Sequence, residues 1–271
     1  MKVAAIQMVS AIEREANLAR AHTLLREGVA GGAELAVLPE NFCAMGARDT
    51  DKLALRETAG AGAVQGFLAD AACEFGLWIV GGTLPLECGD EGQVYNSSIA
   101  YAPDGECVAR YDKIHLFFFD DGRERYDERR VVAPGAEPVC FELLSRDGHR
   151  WRIGLSVCYD LRFPELYRAL AVGGARVLTV PSAFMAHTGR DHWEVLLRAR
   201  AIENLAWVVA PAQGGTHENG RRTWGQSMVI DPWGAVVAQR AEGEGVVLFD
   251  IDHGAVERAR AQLPALSHRV L

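Results

Sequence analysis

Cys158 lies at the junction between a predicted strand and a predicted helix. The apolar run RIGLSV (152–157) precedes it, and FPELYRALAVGG (163–174) follows with a helical pattern that ends at glycines. Such a junction presents its side chain at the carboxyl edge of a sheet, where α/β proteins place their sites. Backbone N–H groups at a helix start can bind an oxyanion and favour the thiolate form of a cysteine. Cys158 is therefore a candidate nucleophile; a buried cysteine at a strand end is the alternative.

Two charged residues also follow predicted buried strands. Glu40 comes directly after ELAVLP (34–39), and Lys113 ends CVARYDK (107–113), the second strand of a predicted hairpin. Taken alone, each is typical of a solvated loop acid or an exposed strand-edge lysine. Together with Cys158 they supply what amide hydrolysis needs: a nucleophile, a carboxylate that moves its proton to the leaving amine, and a cation for the oxyanion.

Predicted strands and helices alternate along the chain, with hairpins between them. The segment RDHWEVLLRARAIEN (190–204), for example, predicts an amphipathic helix between two apolar strands. This order is typical of an α/β protein whose sheets are covered by helices on their outer faces. Because no linker or low-complexity segment interrupts its 271 residues, we expect a single domain.

The composition excludes several classes of protein and partner. Hydrophobic residues make up 49% and charged residues 24%, as in soluble globular proteins. A net charge of −8 without a basic run argues against nucleic acid and anionic membrane surfaces as partners. No apolar run approaches the ~20 residues of a membrane span. The start MKVAAIQMVS lacks a signal-peptide pattern, so we expect a cytoplasmic protein.

The sequence also predicts chemistry without a metal or cofactor. The eight histidines show no HExxH or HxH spacing, and no GxGxxG or GK[ST] phosphate loop follows a strand. The six cysteines form no CxxC pair and are too sparse for a disulfide framework, so we expect reduced thiols.

The combination of motifs resembles the nitrilase, or carbon–nitrogen hydrolase, superfamily over essentially the whole chain. The blocks that carry the resemblance are LPENF (38–42), YDKIHLF (111–117), GLSVCYDLRFPELYRALA (154–171), PSAF (181–184), HWEVLLRARAIEN (192–204) and GQSMVIDPWGAVVA (225–238). The likeness is greatest to the branch that includes deaminated glutathione amidase. This likeness is carried by the segments PSAFMAHTGRDHWEVLLRARAIE, APAQGGTHE and SMVIDPWGAVVA, and QLPALSHR adds to it.

The resemblance implies a four-layer α-β-β-α sandwich that forms homodimers by packing sandwiches face to face. It implies a carbon–nitrogen hydrolase domain over 1–251, with a helix and tail at 252–271 that belong to the same fold or to the dimer interface. It also implies cofactor-free hydrolysis of a small-molecule carboxamide to acid and ammonia through a thioester. In that reaction Glu40 is the general base, Lys113 is the catalytic lysine and Cys158 is the nucleophile.

A second family glutamate falls on Glu128, because YDERRVVAPG (126–135) places it six residues before Pro134. Glu124 is the competing position. The segment FFFDDGRERYDE (117–128) is unusually aromatic and charged, and Arg129 stands where relatives have serine, so the chain departs from the family pattern here. We expect Glu128 to orient the lysine or the substrate amide.

Three further residues are candidates for substrate binding. Arg162 follows the nucleophile by four residues and matches a substrate carboxylate bidentately; an ion pair with Asp160 or Glu165 is the alternative. Tyr159, whose backbone N–H is also a candidate oxyanion donor, and Phe184 are candidates for the pocket wall, with core packing as their alternative.

Other functions stay open on the sequence alone. An omega-amidase acting on 2-oxoglutaramate or 2-oxosuccinamate, or a nitrile or carbamoyl hydrolase, would use the same catalytic residues. A non-catalytic interaction module would not need Glu40, Lys113 and Cys158 together. A thiol redox sensor at Cys158 would need a resolving cysteine, for which Cys43 is the candidate.

Overall fold

The computed structural model describes residues 1–120, 122 and 125–270. Within them the helices are α1 (Arg14–Ala30), α2 (Asp51–Ala54), α3 (Ala63–Phe75), α4 (Pro164–Val172), α5 (Ala186–Asn204) and α6 (His253–Gln262). The strands are β1 (Lys2–Gln7), β2 (Leu35–Val37), β3 (Trp78–Val80), β4 (Leu84–Glu87), β5 (Val94–Tyr101), β6 (Cys107–Asp112), β7 (Phe118–Asp120), β8 (Arg125–Asp127), β9 (Cys140–Leu144), β10 (Arg150–Leu155), β11 (Val177–Thr179), β12 (Trp207–Ala210), β13 (Ser227–Ile230), β14 (Val236–Arg240) and β15 (Gly245–Asp250). Short 3₁₀ turns span Glu128–Arg130, Cys158–Arg162 and Ala265–Ser267.

Two mixed sheets form the body of the fold. The first has the strand order β15-β1-β2-β3-β5-β4, with β6 also paired to β5. The second has the order β14-β13-β12-β11-β10-β9. Each sheet contains three adjacent parallel strands, β1-β2-β3 in one and β10-β11-β12 in the other. Strands β7 and β8 form a separate hairpin.

Alternate residues of β1 face opposite sides of its sheet. Val3 and Ala5 belong to the core between the two sheets, whereas Ala4 and Ile6 pack with the buried face of α1 and with α3. A strand that is covered on both faces needs apolar residues at every position, which explains its unbroken hydrophobic run. The helices therefore cover the outer faces of the paired sheets, and the α/β sandwich expected from the sequence is confirmed.

Helices α4 and α5 cover the second sheet. Trp193 and Leu197 of α5 are fully buried in the core. The helix begins at Ala186, one turn before the start that the sequence predicts. The C-terminal helix α6 is attached through Arg260, whose guanidinium donates to the carbonyls of Ala175 (2.7 Å) and Leu205 (3.2 Å). In the described part of the chain, none of the helices is long and apolar enough to cross a membrane.

The candidate catalytic residues follow three different strands. Glu40 comes three residues after β2, Lys113 directly follows β6, and Cys158 opens a 3₁₀ turn after β10. The first two strands belong to one sheet and the third to the other. The packing of the two sheets therefore determines whether these side chains meet.

Gly82 lies where the chain leaving β3 touches the segment that leads to Glu40. Its φ is 53°, and an added Cβ would lie 2.1 Å from the carbonyl oxygen of Pro39. Gly76 at the end of α3 has a similar φ of 55° but open space around its Cα.

We predict that Gly82→Ala costs more stability than Gly76→Ala. A positive φ alone costs roughly 1–2 kcal/mol for alanine, and overpacking adds roughly 1–3 kcal/mol at Gly82 only. Chemical denaturation of the two variants measures both free energies of unfolding. Equal losses would contradict the close contact with Pro39.

Candidate active site

Glu40, Lys113 and Cys158 line one pocket between the two sheets. Its volume is about 630 Å³ including the open mouth. Glu128, Tyr159, Arg162 and Phe184 lie in its wall, together with Asn41, Asp49, Lys52, Phe117, Tyr126, Asp127, Val131, Ala183, Met185, Thr188 and Arg221. The structure thus brings together all seven residues that the sequence nominates. Glu124, the competitor of Glu128, lies outside the described residues.

Lys113 occupies the centre of the site. Its side chain is almost completely buried, and its Nζ donates to Glu40 Oε1 (2.9 Å) and to Glu128 Oε2 (2.8 Å). Burial by itself lowers the pKa of a lysine, but the two carboxylates outweigh it and raise the pKa of Lys113 well above its ordinary value. The site therefore contains a permanent ammonium ion held between two carboxylates.

Both carboxylate oxygens of Glu40 are fixed by donors. Oε1 also accepts a hydrogen bond from Asn96 Nδ2 (3.0 Å), and Oε2 accepts one from the backbone N–H of Ala183 (2.9 Å). The backbone carbonyl of Glu40 accepts from Gln213 Nε2 (3.1 Å). These bonds orient the carboxylate from both sheets, because Asn96 belongs to β5 and Ala183 follows β11.

Glu128 completes the ion-pair network. Its Oε2 also accepts from the N–H of Phe117 (2.9 Å), and its Oε1 lies 3.3 Å from Asn96 Nδ2 and 3.7 Å from Lys52 Nζ. Burial raises the pKa of Glu128, but the charges of Lys113 and Lys52 outweigh this effect, so the pKa of Glu128 is lowered. Glu128 is thus a charged partner of Lys113, and Asn96 bridges it to Glu40.

Cys158 stands on a strained turn. Its φ is 47°, which is uncommon for a residue with a side chain, and its backbone N–H donates to the carbonyl of Pro181 (2.9 Å). Cys158 is 8% exposed and lines the same pocket as the Glu40 carboxylate. The strained backbone places Cys158 in the lining of the pocket that also contains Glu40 and Lys113.

The thiol of Cys158 is held in its neutral form. Burial raises its pKa, the negative charge of Glu40 raises it further, and Lys113 only partly opposes them. The expectation that the helix start favours a thiolate is therefore wrong. The turn at Cys158–Arg162 is short, and its few N–H dipoles are outweighed by desolvation and by the charge of the Glu40 carboxylate.

Asp160 connects the turn that contains Cys158 to the segment that contains Lys113, a role that the sequence does not predict. It is fully buried, and its Oδ2 accepts from Tyr111 Oη (2.7 Å) and from the N–H of Val157 (2.8 Å). Its Oδ1 accepts from the N–H of His115 (3.0 Å) and lies 2.7 Å from His115 Nδ1. Tyr111 and His115 flank Lys113, so one carboxylate fixes Lys113 relative to Cys158.

Arg162 faces aromatic rings instead of a carboxylate. Its guanidinium carbon lies 5.2 Å from the ring centroid of Phe184 and 5.7 Å from that of Tyr159, and its Nη1 is 3.2 Å from His192 Nδ1. Among the residues that the structure describes, it forms no ion pair with Asp160 or Glu165, so the ion-pair alternative is wrong. The guanidinium is left in the pocket wall, where an anion can reach it.

Cys43, the possible redox partner, is a buried thiol. Its sulfur donates to the carbonyl of Thr83 (3.8 Å), and burial raises its pKa to about 12. A protonated buried thiol is a poor nucleophile, which argues against a resolving role. Within the described ranges, no group of three or more histidine, cysteine or carboxylate side chains is placed to hold a metal ion.

Comparison with known proteins agrees with this geometry. The family model described as carbon-nitrogen hydrolase matches residues 2–261. A deaminated glutathione amidase of Synechocystis is 44% identical over 270 residues, which cover 98% of this chain and 97% of that protein. The human protein of the same name is 39% identical over 98% of this chain and 81% of its own length.

A solved structure extends the likeness to three dimensions. Nit3 of Saccharomyces cerevisiae, a member of branch 10 of the nitrilase superfamily, superposes with a TM-score of 0.87 at 29% identity, covering 100% of this chain and 97% of that one. The resemblance drawn from the sequence motifs is confirmed. The chain belongs to the carbon–nitrogen hydrolase family, the nitrilase superfamily of hydrolases that act on carbon–nitrogen bonds other than peptide bonds.

Proposed function

We propose that this protein is a cofactor-free amidase that works through a thioester on Cys158. The proposal rests on one observation: a neutral thiol, the Glu40 carboxylate and a buried ammonium line a single pocket. Family membership supports the reaction class, and the geometry supports the role of each residue.

The first step is attack by sulfur on the amide carbonyl. Glu40 takes the thiol proton as the Cys158 sulfur forms its bond to the carbonyl carbon, and the carbonyl oxygen becomes an oxyanion. Lys113 and the backbone N–H of Tyr159 stabilise this oxyanion. The neighbouring N–H groups of Cys158 and Asp160 already donate to Pro181 and Val157, which favours Tyr159 as the donor.

The second step breaks the carbon–nitrogen bond. Glu40 returns the proton to the leaving nitrogen, the free amine or ammonia departs, and a thioester stays on Cys158. Water then gives a proton to Glu40 as its oxygen adds to the thioester carbon. The carbon–sulfur bond breaks, the sulfur recovers the proton from Glu40, and the acid is released. No oxidant, metal or cofactor enters this balance.

Glu128 acts in this scheme through Lys113. It fixes the ammonium at 2.8 Å and shares Asn96 with Glu40, so it positions the oxyanion-stabilising charge without moving a proton itself. Its lowered pKa suits that role, because a carboxylate that stays ionised cannot compete with Glu40 as a proton carrier.

For the substrate, we propose an amide of a 2-oxo dicarboxylate, with deaminated glutathione as the leading candidate. Relatives of that name at 39–44% identity over nearly the whole chain support it. Its amide bonds are secondary, so its hydrolysis releases an amine, whereas the smaller candidate 2-oxoglutaramate would release ammonia. Arg162, which lacks a carboxylate partner among the described residues, is suited to the carboxylate of the acyl part.

Intact-mass measurement tests the nucleophile and the substrate together. The protein is mixed with deaminated glutathione or 2-oxoglutaramate and quenched rapidly. Its mass should increase by that of a 2-oxoglutaryl group, and digestion should locate the group on the peptide that contains Cys158. Both amides contain this acyl group, so one adduct mass serves for both.

Two cysteine variants provide the matched comparison. Cys158→Ala should lose the adduct and essentially all turnover, whereas Cys73→Ala, which changes an exposed cysteine, should keep both. Turnover that persists in Cys158→Ala would refute the thioester mechanism. If the protein instead hydrolysed only amides with other acyl groups and gave no 2-oxoglutaryl adduct, the choice of substrate would be wrong and the mechanism would stand.

A homodimer is part of the same proposal. Val195 and Ile202 are 66% and 46% exposed on α5, seven residues apart on one face, and Val172 of α4 is 64% exposed. Apolar side chains grouped on neighbouring helices favour self-association. Analytical ultracentrifugation should give twice the chain mass, and a monomer at all concentrations would contradict it. A cytoplasmic location stays a prediction.

A further inference from the structure

A second recess continues from the catalytic pocket. Its volume is about 870 Å³, counting its open side, and Asn41, Asp49, Lys52, Tyr126 and Arg221 line both spaces. Its outer wall comes from the segments at 44–49 and 219–221, which are joined by a hydrogen bond from Asn219 Nδ2 to the carbonyl of Gly46 (2.7 Å). A molecule that reacts at Cys158 therefore has room to extend on this side.

Arg221 lies on the boundary between the pocket and the recess, and none of the described carboxylates forms an ion pair with it. Its guanidinium lies 5.7 Å from the ring centroid of Tyr126, and its Nη2 makes one long hydrogen bond to the carbonyl of Ala183 (3.5 Å). Its Nε is buried and has no hydrogen-bond partner among the residues that the structure describes. An unsatisfied buried donor is costly, and an acceptor group on a ligand in the recess would satisfy it.

The other cations of the recess already have carboxylate partners. Lys52 lies 3.7 Å from Glu128, and Arg48 lies 3.5 Å from Asp51. Across the residues that the structure describes, no carboxylate lies within 4 Å of the Arg221 guanidinium. Arg221 is therefore the cation that an incoming anion would meet at this end of the site.

The position of Arg221 relative to Glu40 indicates which part of a bound substrate Arg221 faces. The N–H of Ala183 donates to Glu40, and the carbonyl of the same residue faces Arg221. Because Glu40 delivers a proton to the leaving nitrogen in the proposed mechanism, the leaving amine lies on the Glu40 side. Arg162 stacks on Tyr159, next to the nucleophile, and so belongs to the acyl side.

We propose that Arg221 binds a carboxylate carried by the leaving amine and that the recess receives that amine. The preferred substrates are then amides with an acidic group on each side of the scissile bond: a 2-oxo acid on the acyl side and a short acidic peptide or amino acid on the leaving side. This inference rests on the proposed amidase function and goes beyond it by assigning specificity to a residue outside the catalytic set.

The test compares deaminated glutathione with its C-terminal carboxamide, which differs only in the charge of the leaving group. The protein should prefer the acid by roughly 10- to 100-fold in kcat/KM, the range expected for a charge-assisted hydrogen bond. Arg221→Met should bring this ratio close to one, and Arg221→Gln serves as a second variant if the first folds poorly.

Arg222→Met is the matched control. Arg222 is the next residue, its side chain is 68% exposed, and it lies 3.7 Å from Glu242 outside the pocket lining. This variant should keep the wild-type ratio. The assignment of Arg221 would be overturned if the wild-type protein showed an acid-to-carboxamide ratio of kcat/KM near one, or if Arg221→Met left this ratio unchanged. Turnover of deaminated glutathione in either case would still support the proposed function. Absence of turnover with both compounds would overturn the choice of substrate and this inference with it.

Discussion

The buried ammonium of Lys113 is the constraint on which the site depends. A charge removed from water is stable only when it is paired and hydrogen-bonded, and Lys113 meets this condition through Glu40 and Glu128. Replacing either carboxylate with an apolar residue would leave the buried ammonium with a single carboxylate partner and remove one of its two hydrogen bonds. The lysine thereby fixes the relative positions of three chain segments that are far apart in sequence, and the packed sheets hold those segments at the required distance.

The same electrostatic interactions set the protonation states of Lys113, Glu128 and Cys158. Lys113 and Lys52 lower the pKa of Glu128, while burial and the Glu40 carboxylate raise the pKa of the Cys158 thiol. A protonated thiol that shares its pocket with Glu40 is arranged so that proton transfer accompanies attack on the substrate. Asp160 supports this arrangement mechanically, because it hydrogen-bonds residues on both sides of Lys113 and the turn that bears the sulfur.

The sequence predicts those parts of the molecule whose signals are local. The strands before Glu40 and Cys158 are apolar runs that end at polar residues. The strand before Lys113, CVARYD, is mixed in polarity and only partly buried, and the family motifs mark Lys113 and Glu128. The sequence does not predict the roles of Asn96 and Asp160, because both depend on partners that only the packing of the sheets brings close. Within YNSSIAY, Asn96 has the pattern of an ordinary strand residue.

Competing local effects account for the errors. The helix start at Cys158 suggests a thiolate, but desolvation and Glu40 dominate over it. The charge of Arg162 suggests a pair with Asp160, but Tyr111, His115 and Val157 already occupy that carboxylate. The hairpin of β7 and β8 lies in the aromatic and charged segment where the family pattern is weakest, so neither periodicity nor resemblance predicts it.

The protonation state of the nucleophile tests the central claim most directly. A thiolate absorbs in the ultraviolet where a thiol does not, so the difference in absorbance between the native protein and Cys158→Ala reports the charge on this one sulfur. The account predicts no thiolate signal at neutral pH and its appearance only above the ordinary range of cysteine, about pH 8.5. A full thiolate signal at neutral pH would contradict it.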